Sequence, residues 1–236
     1  MSKTDPSLTH PPWMVSILTL FPEMFPGPLG CSLAGQALET GLWSLKTIQI
    51  RDFGIGKHRQ VDDTPAGGGA GMVLRADVLG AAIDNARSQQ PEGPLIYLSP
   101  RGKRFTQTIA KDLAKEKGVI LLAGRFEGVD ERILSGRNIT EISMGDYVLS
   151  GGEIPAMALI DACVRLLPGV IGTAESLEKE SFENNLLEYP QYTRPREWEG
   201  HLIPEVLLSG DHKSIEQWRH EEARRLTRER RPDLLK

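Results

Sequence analysis

Residues 95–122 read LIYLSPRGKRFTQTIAKDLAKEKGVILL, and their pattern decides the fold class. Leu95 to Leu98 is a short apolar run that stops at Ser99-Pro100-Arg101-Gly102, which predicts a buried strand followed by a turn. Phe105 to Lys117 has amphipathic spacing and is closed by Gly118, which predicts a helix. Val119 to Leu122 is a second apolar run, ending at Ala123-Gly124-Arg125. A strand, a helix and another buried strand in succession argue for a sheet covered by helices.

The alternation continues outward. Residues 13–20 (WMVSILTL) predict a strand, Leu29 to Glu39 a helix stopping at Gly41, and Leu45 to Ile50 another strand. Ala76 to Ala86 and a short piece around Val129 to Leu134 read as helices, and Ile139 to Ser143 as a strand. Residues 153–167 form the strongest helix, with Met157, Ile160, Val164 and Leu167 as its apolar stripe. The fold class is α/β with a mostly parallel sheet, spanning residues 13–171. Residues 172–200 are polar, carry Pro190 and Pro195, and read as an inter-domain linker. Residues 201–236 read as a small helical domain centred on Lys213 to Arg228. Residues 1–12 are polar and proline-rich and read as a disordered extension without a signal-peptide core.

Composition narrows the class. With 39% hydrophobic and 25% charged residues and a net charge of −4, the chain is no generally basic nucleic-acid binder. RNA contact must come from local patches, of which 219–231 (RHEEARRLTRERR) is the most basic. Cys31 and Cys163 have no metal-ligand spacing and fit a reducing cytoplasm. No apolar run approaches the ~20 residues of a membrane span, so a soluble cytoplasmic protein is expected.

Three strand-end loops, 99–102, 124–128 and 143–152, contain glycine or proline. Ligands of open α/β sheets bind beyond the carboxyl ends of the strands, and glycines let backbone groups approach a ligand closely. Spacing alone leaves two readings open: walls of one ligand site, or ordinary turns. No G-x-G-x-x-G follows a strand and no P-loop occurs. A long irregular stretch, 51–71, ends in the run Ala66-Gly67-Gly68-Gly69-Ala70-Gly71. Before that run, His58, Arg59, Asp62 and Asp63 are either solvated loop charges or a grip on a base or phosphate. Asp161 and Arg165, four apart on a helix, read as a surface ion pair worth ~0.3–0.5 kcal/mol. The arginines of 219–231 are a solvated face or phosphate contacts, and Trp218 is core or a stacking partner for a base.

Taken together and in order, LFPEMF (20–25), DDTPAGGGAGM (62–72), YLSPRG (97–102), GRFEGVDER (124–132), GDYVLSGGEIP (145–155), PGV (168–170), PQYTRP (190–195) and LLSGDH (207–212) resemble the TrmD family, the bacterial tRNA (guanine-N1)-methyltransferases of the SPOUT superfamily. The resemblance runs from about Trp13 to the C-terminus. It implies a parallel sheet with a deep trefoil knot, which no topology rule would suggest, and a homodimer with each active site shared between subunits. It implies S-adenosylmethionine (SAM) as methyl donor, tRNA as partner, and the guanosine next to the anticodon as target. One wall of the SAM site would be Tyr97, Leu98, Ser99 and Pro100, and a second Gly124 and Glu127. The third would be Met144, Gly145, Tyr147, Val148, Leu149, Gly151, Gly152 and Pro155.

Arg165 falls on the family's essential arginine. The loop 58–72, with His58, Arg59, Asp62, Asp63, Gly68 and Gly69, would hold the target guanine from the partner subunit; with tRNA as partner, the basic run itself makes Arg224 and Arg225 the expected phosphate contacts. The family's catalytic aspartate lies in an Asp-Ser-Phe segment, which here reads Glu180-Ser181-Phe182. The carboxylate is kept with roughly 1.5 Å more reach. Glu175, Glu178 and Asp161 are the fallback bases. A Mg²⁺ requirement of the family kind comes with the resemblance, though the sequence shows no clear metal site. The alternatives are a SPOUT methyltransferase acting on another RNA position and a non-catalytic RNA-binding protein on this scaffold, the latter favoured only by the changed base.

Overall fold

The apolar run Gly118–Leu122 is buried at all of its positions, as a strand covered on both faces must be. The computed structural model describes residues 11–90, 92–172 and 180–235. It divides into two compact units, 1–172 and 173–236. The expectations for residues 1–10 and for Glu175 and Glu178 lie outside the described residues.

The first unit carries a five-stranded sheet in the order β2-β1-β6-β5-β7, with every neighbouring pair parallel. The strands are β1 (Trp13–Thr19), β2 (Trp43–Gln49), β5 (Leu95–Arg104), β6 (Gly118–Leu122) and β7 (Thr140–Ser143). Two short strands, β3 (Asp62–Asp63) and β4 (Val73–Leu74), pair antiparallel across the glycine-rich loop. The helices are α1 (Ser32–Glu39), α2 (Ala76–Gln89), α3 (Gln107–Lys115), α4 (Glu131–Gly136) and α5 (Glu153–Val164).

Two-residue alternation divides the sheet's side chains between two cores. Val119 and Leu121 of β6, Ile96 and Leu98 of β5, and Val15 and Ile17 of β1 face α1, α3 and α5. Ile120, Leu122, Leu95, Tyr97 and Leu18 face α2 and α4. Each fully buried leucine or isoleucine contributes about 1.5–3 kcal/mol relative to exposure.

Several boundaries differ from the sequence reading, for local reasons. The helix expected from Leu29 begins at Ser32, because Gly27–Gly30 forms a 3-10 turn and Cys31 is extended. The strand expected over Leu95–Leu98 runs on to Arg104, with its register broken between Leu98 and Lys103 so that both face Ile142. Ser99-Pro100-Arg101-Gly102 therefore bulges from a continuing strand, where the proline's missing N–H costs no ladder bond. Helix α3 starts after Thr106, whose hydroxyl caps the Ile109 N–H at 3.4 Å. On α5 the buried face is Ala156, Leu159, Ile160, Cys163 and Val164, with Met157 only half-buried.

In the second unit, α6 (His212–Arg230) is capped by Asp211, which accepts from the N–H groups of Lys213 and Ser214. The stretch read as a linker is not bare connection from residue 180 onward. Leu187 N–H donates to the Thr227 hydroxyl at 2.8 Å, Arg219 lies 4.9 Å over the Tyr189 ring, and Tyr192 meets Trp218 at 6.1 Å between ring centroids. A small hairpin, β8 (Glu197–Trp198) with β9 (His201–Leu202), precedes α6.

Candidate active site

The bulged middle of β5 and the loops leaving β6 and β7 line a cleft of about 240 Å³. All three walls expected from the sequence line it: Tyr97, Leu98, Ser99 and Pro100; Gly124 and Glu127; and Met144, Gly145, Tyr147, Val148, Leu149, Gly151, Gly152 and Pro155. The third wall crosses the second closely. Gly152 N–H donates to Gly124 O at 2.9 Å, and a Cβ on Gly152 would lie 2.7 Å from the Ala123 Cα. Any side chain there forces the two loops apart. Burial pushes the Tyr97 phenol above its usual pKa.

The cleft has an electrostatic bolt that sequence reasoning missed. Glu153, the first residue of α5, is only 1% exposed, and its carboxylate has two partners. One oxygen accepts from the Thr19 hydroxyl at 2.8 Å and the other from Arg125 Nε at 2.9 Å. Arg125 also donates to Ser150 O at 3.2 Å and lies 4.4 Å over the Phe21 ring. One buried ion pair thus ties the end of β1, the 124–128 loop and the 144–152 loop. A signal was present: Arg125 and Glu153 both lie inside the quoted motifs, and Glu153 opens a helix whose next seven residues are apolar.

The glycine-rich loop is joined to the same wall. Glu127 N–H donates to Met72 O, Leu74 N–H to Gly128 O and Asp130 N–H to Leu74 O, at 2.9, 2.9 and 3.0 Å. Gly71 has φ +88°, and a Cβ on it would stand 2.4 Å from the Glu127 side chain.

The other expected residues lie apart from the cleft lining. Arg59 pairs with Asp52 at 2.9 Å on an exposed surface, and His58 is exposed. Asp62 and Asp63 sit in β3, with Asp63 3.5 Å from Arg75. Gly68 and Gly69 have φ +81° and +126° in open space. Arg165 is half-buried at the C-terminal end of α5, where its N–H bonds back to Asp161 O at 3.1 Å. The side-chain ion pair expected between Asp161 and Arg165 is not among those the described residues form. Glu180 is half-buried in the second unit and lines a cavity there with Leu187, Tyr189, Arg219 and His220.

On α6, Arg225 is gripped by Glu222 at 2.6 Å and Glu229 at 2.9 Å, which raises its pKa further. That fork occupies the donors expected to reach phosphate. Arg224 beside it is exposed.

Comparison with known proteins agrees with this arrangement. The family model described as tRNA (Guanine-1)-methyltransferase TrmD matches residues 13–236. A protein of Roseobacter denitrificans named tRNA (guanine-N(1)-)-methyltransferase is 61% identical over 94% of this chain and 92% of its own length. Proteins of the same name from Novosphingobium aromaticivorans and Mesorhizobium japonicum are each 63% identical over 93% of this chain, covering 89% and 95% of their own lengths. A match of that extent, over both units and every motif of the cleft, places the chain in the TrmD family of tRNA (guanine-1)-methyltransferases.

Proposed function

We propose that the protein transfers a methyl group from SAM to N1 of the guanosine immediately 3′ of the tRNA anticodon. The observation that carries this reading is the convergence of the 97–100, 124–128 and 144–155 segments on one cleft, in a family whose members are named tRNA (guanine-N(1)-)-methyltransferase. The donor suits the cleft chemically. Gly124 and Gly152 keep its floor free of side chains, and Tyr97, Leu98, Val148 and Pro155 offer apolar surface to an adenine ring. The Glu127 carboxylate complements a cationic ligand. When bound, SAM supplies a methyl group on a sulfonium, so no covalent enzyme intermediate is needed.

The chain's residues do the rest. Guanine N1 is a poor nucleophile while it keeps its proton, and Glu180 accepts that proton as the methyl arrives. The negative charge driven onto O6 is met by Arg165, whose guanidinium stays charged and donates in a fixed fork. N1 lies on the Watson–Crick edge, so the base must be unpaired when it enters. His58, Arg59, Asp62, Asp63, Gly68 and Gly69 hold that base, and Arg224 and Arg225 meet the tRNA backbone. Because Arg225 is already forked between two glutamates, Arg224 is the readier of the two.

The same reading includes a cytoplasmic homodimer with shared active sites, the 13–171 and 201–236 domains joined through 172–200, and a trefoil knot. For Mg²⁺, the described residues contain no group of three or more metal-ligating side chains, and no step here runs through a metal.

The test is methyl transfer from labelled SAM into an unmodified tRNA transcript with guanosine 3′ of the anticodon, against an adenosine-substituted copy. Incorporation into the guanosine transcript alone is expected. Equal incorporation into both moves the target elsewhere. None in either, with SAM still bound, points to the changed base at Glu180 and favours the non-catalytic RNA-binding reading. A second result is expected at Gly71. Gly71→Ala places an L-residue at positive φ and drives it into Glu127. It should cost about 1–3 kcal/mol of stability, read by chemical denaturation, and weaken SAM binding, read by calorimetry. Unchanged SAM affinity would detach Glu127 from the donor site.

A further inference from the structure

The sequence has four tryptophans. Trp13 and Trp43 are buried, Trp218 is half-buried, and Trp198 is 62% exposed on the β8–β9 hairpin. Its indole face is therefore free to stack on a planar ligand. Its surroundings say which. Trp198 pairs with His201 across the hairpin, and Glu197 with Leu202. Ile203 N–H donates to Arg196 O at 3.0 Å, continuing the ladder by one pair. The two-residue period of an extended chain puts Arg196 on Trp198's side and Glu197 on the other. Arg194 precedes them, and Glu199 sits in the turn. Arg194, Arg196, Trp198 and His201 are all exposed. Among the ion pairs of the described residues, none involves Arg194 or Arg196. An exposed aromatic plane with two uncommitted arginines within four residues along the chain matches an unpaired nucleotide, whose base stacks while its neighbouring phosphates take the charge.

We propose that this hairpin is a second nucleotide-binding subsite, in which Trp198 stacks on an unpaired tRNA base other than the target guanosine, and Arg194 and Arg196 contact the adjoining phosphates. This inference rests on the reading of tRNA as substrate. It makes the hairpin a determinant of which RNAs are accepted, separate from the methyl-transfer cleft.

The test uses the full-length protein with an unmodified tRNA transcript and, as control, a fully paired RNA duplex of equal length. Affinity is measured by filter retention at several salt concentrations. Trp198→Ala should weaken transcript binding roughly 5- to 150-fold, Trp198→Phe should recover most of it, and neither should change duplex binding or SAM affinity. Arg194→Ala with Arg196→Ala should flatten the logarithmic salt slope by about one to two. Wild-type transcript affinity in Trp198→Ala would overturn the proposal, as would an equal loss on the duplex. So would a change of subunit assembly on sedimentation with transcript affinity per assembly preserved, which would give the patch to a second copy of the chain. A wild-type protein that binds RNA through Trp198 yet methylates no guanosine would remove the methyl-transfer reading and leave this one standing. Methylation without any Trp198 dependence would do the reverse.

Discussion

Glu180→Gln should lower turnover by about 10²- to 10⁴-fold, the range a positioned general base supplies. The substitution keeps the side chain's length and shape but removes its ability to take a proton. Donor binding should barely change, because the described residues that line the cleft all fall within 97–155 and Glu180 is assigned to the guanine rather than to the donor. The measurements are single-turnover methyl transfer and SAM titration on the same preparation. Glu180→Asp is the informative companion. It restores the family's residue with roughly 1.5 Å less reach, and should keep turnover well above the glutamine variant. A glutamine variant as fast as wild type would remove Glu180 from the mechanism and turn attention to Asp161, which is exposed on α5.

The largest stability effect is expected at Glu153. Removing its carboxylate by Glu153→Ala leaves Arg125, whose side chain is 20% exposed, without its buried counter-charge. It also strips the Thr19 hydroxyl of its acceptor. Breaking one side of a buried ion pair costs about 3–5 kcal/mol. Urea denaturation should show the midpoint moving down with little change in slope. Glu153→Gln should be milder at Thr19, where an amide oxygen can still accept, but it cannot neutralise Arg125. A loss below about 1 kcal/mol for the alanine variant would show that water serves Arg125 as well as the carboxylate does.

The contrast between these two sites explains what could be read in advance. The parallel sheet was legible because β6 is apolar at consecutive positions and must be covered on both faces. The cleft was legible because its walls are local motifs, two at strand ends and one at the bulge of β5. Glu153 was not, because an acid in the first turn of a helix already has a local explanation in the helix dipole. Its partner is 28 residues away and its second partner 134 away, and only the folded sheet brings them together. The bulge in β5 was hidden for a similar reason: Ser-Pro-Arg-Gly is an ordinary end signal, and only pairing with β7 reveals that the strand resumes. Residues 180–192, part of the 172–200 stretch read as a linker, looked like a tether because Pro190 and the polar residues around it carry no period. Their attachment to α6 runs through single contacts, such as Leu187 with Thr227, which leave no repeating trace. The arginine run kept its ambiguity until Glu222 and Glu229 were seen to hold Arg225.

The position of β6 between β1 and β5 also sets a timetable for synthesis. Met14 must pair with Gly118, so β1 leaves the ribosome with one edge that only a much later segment can fill. At about 5–20 residues per second, a gap of roughly a hundred residues lasts about 5–20 s. Throughout that interval an apolar strand with unpaired amides is open to any other chain that offers an edge. The nascent protein therefore depends on being shielded until residue 122 has emerged. Mutations that slow the docking of β6 should lower the yield of soluble protein well before they alter the finished enzyme.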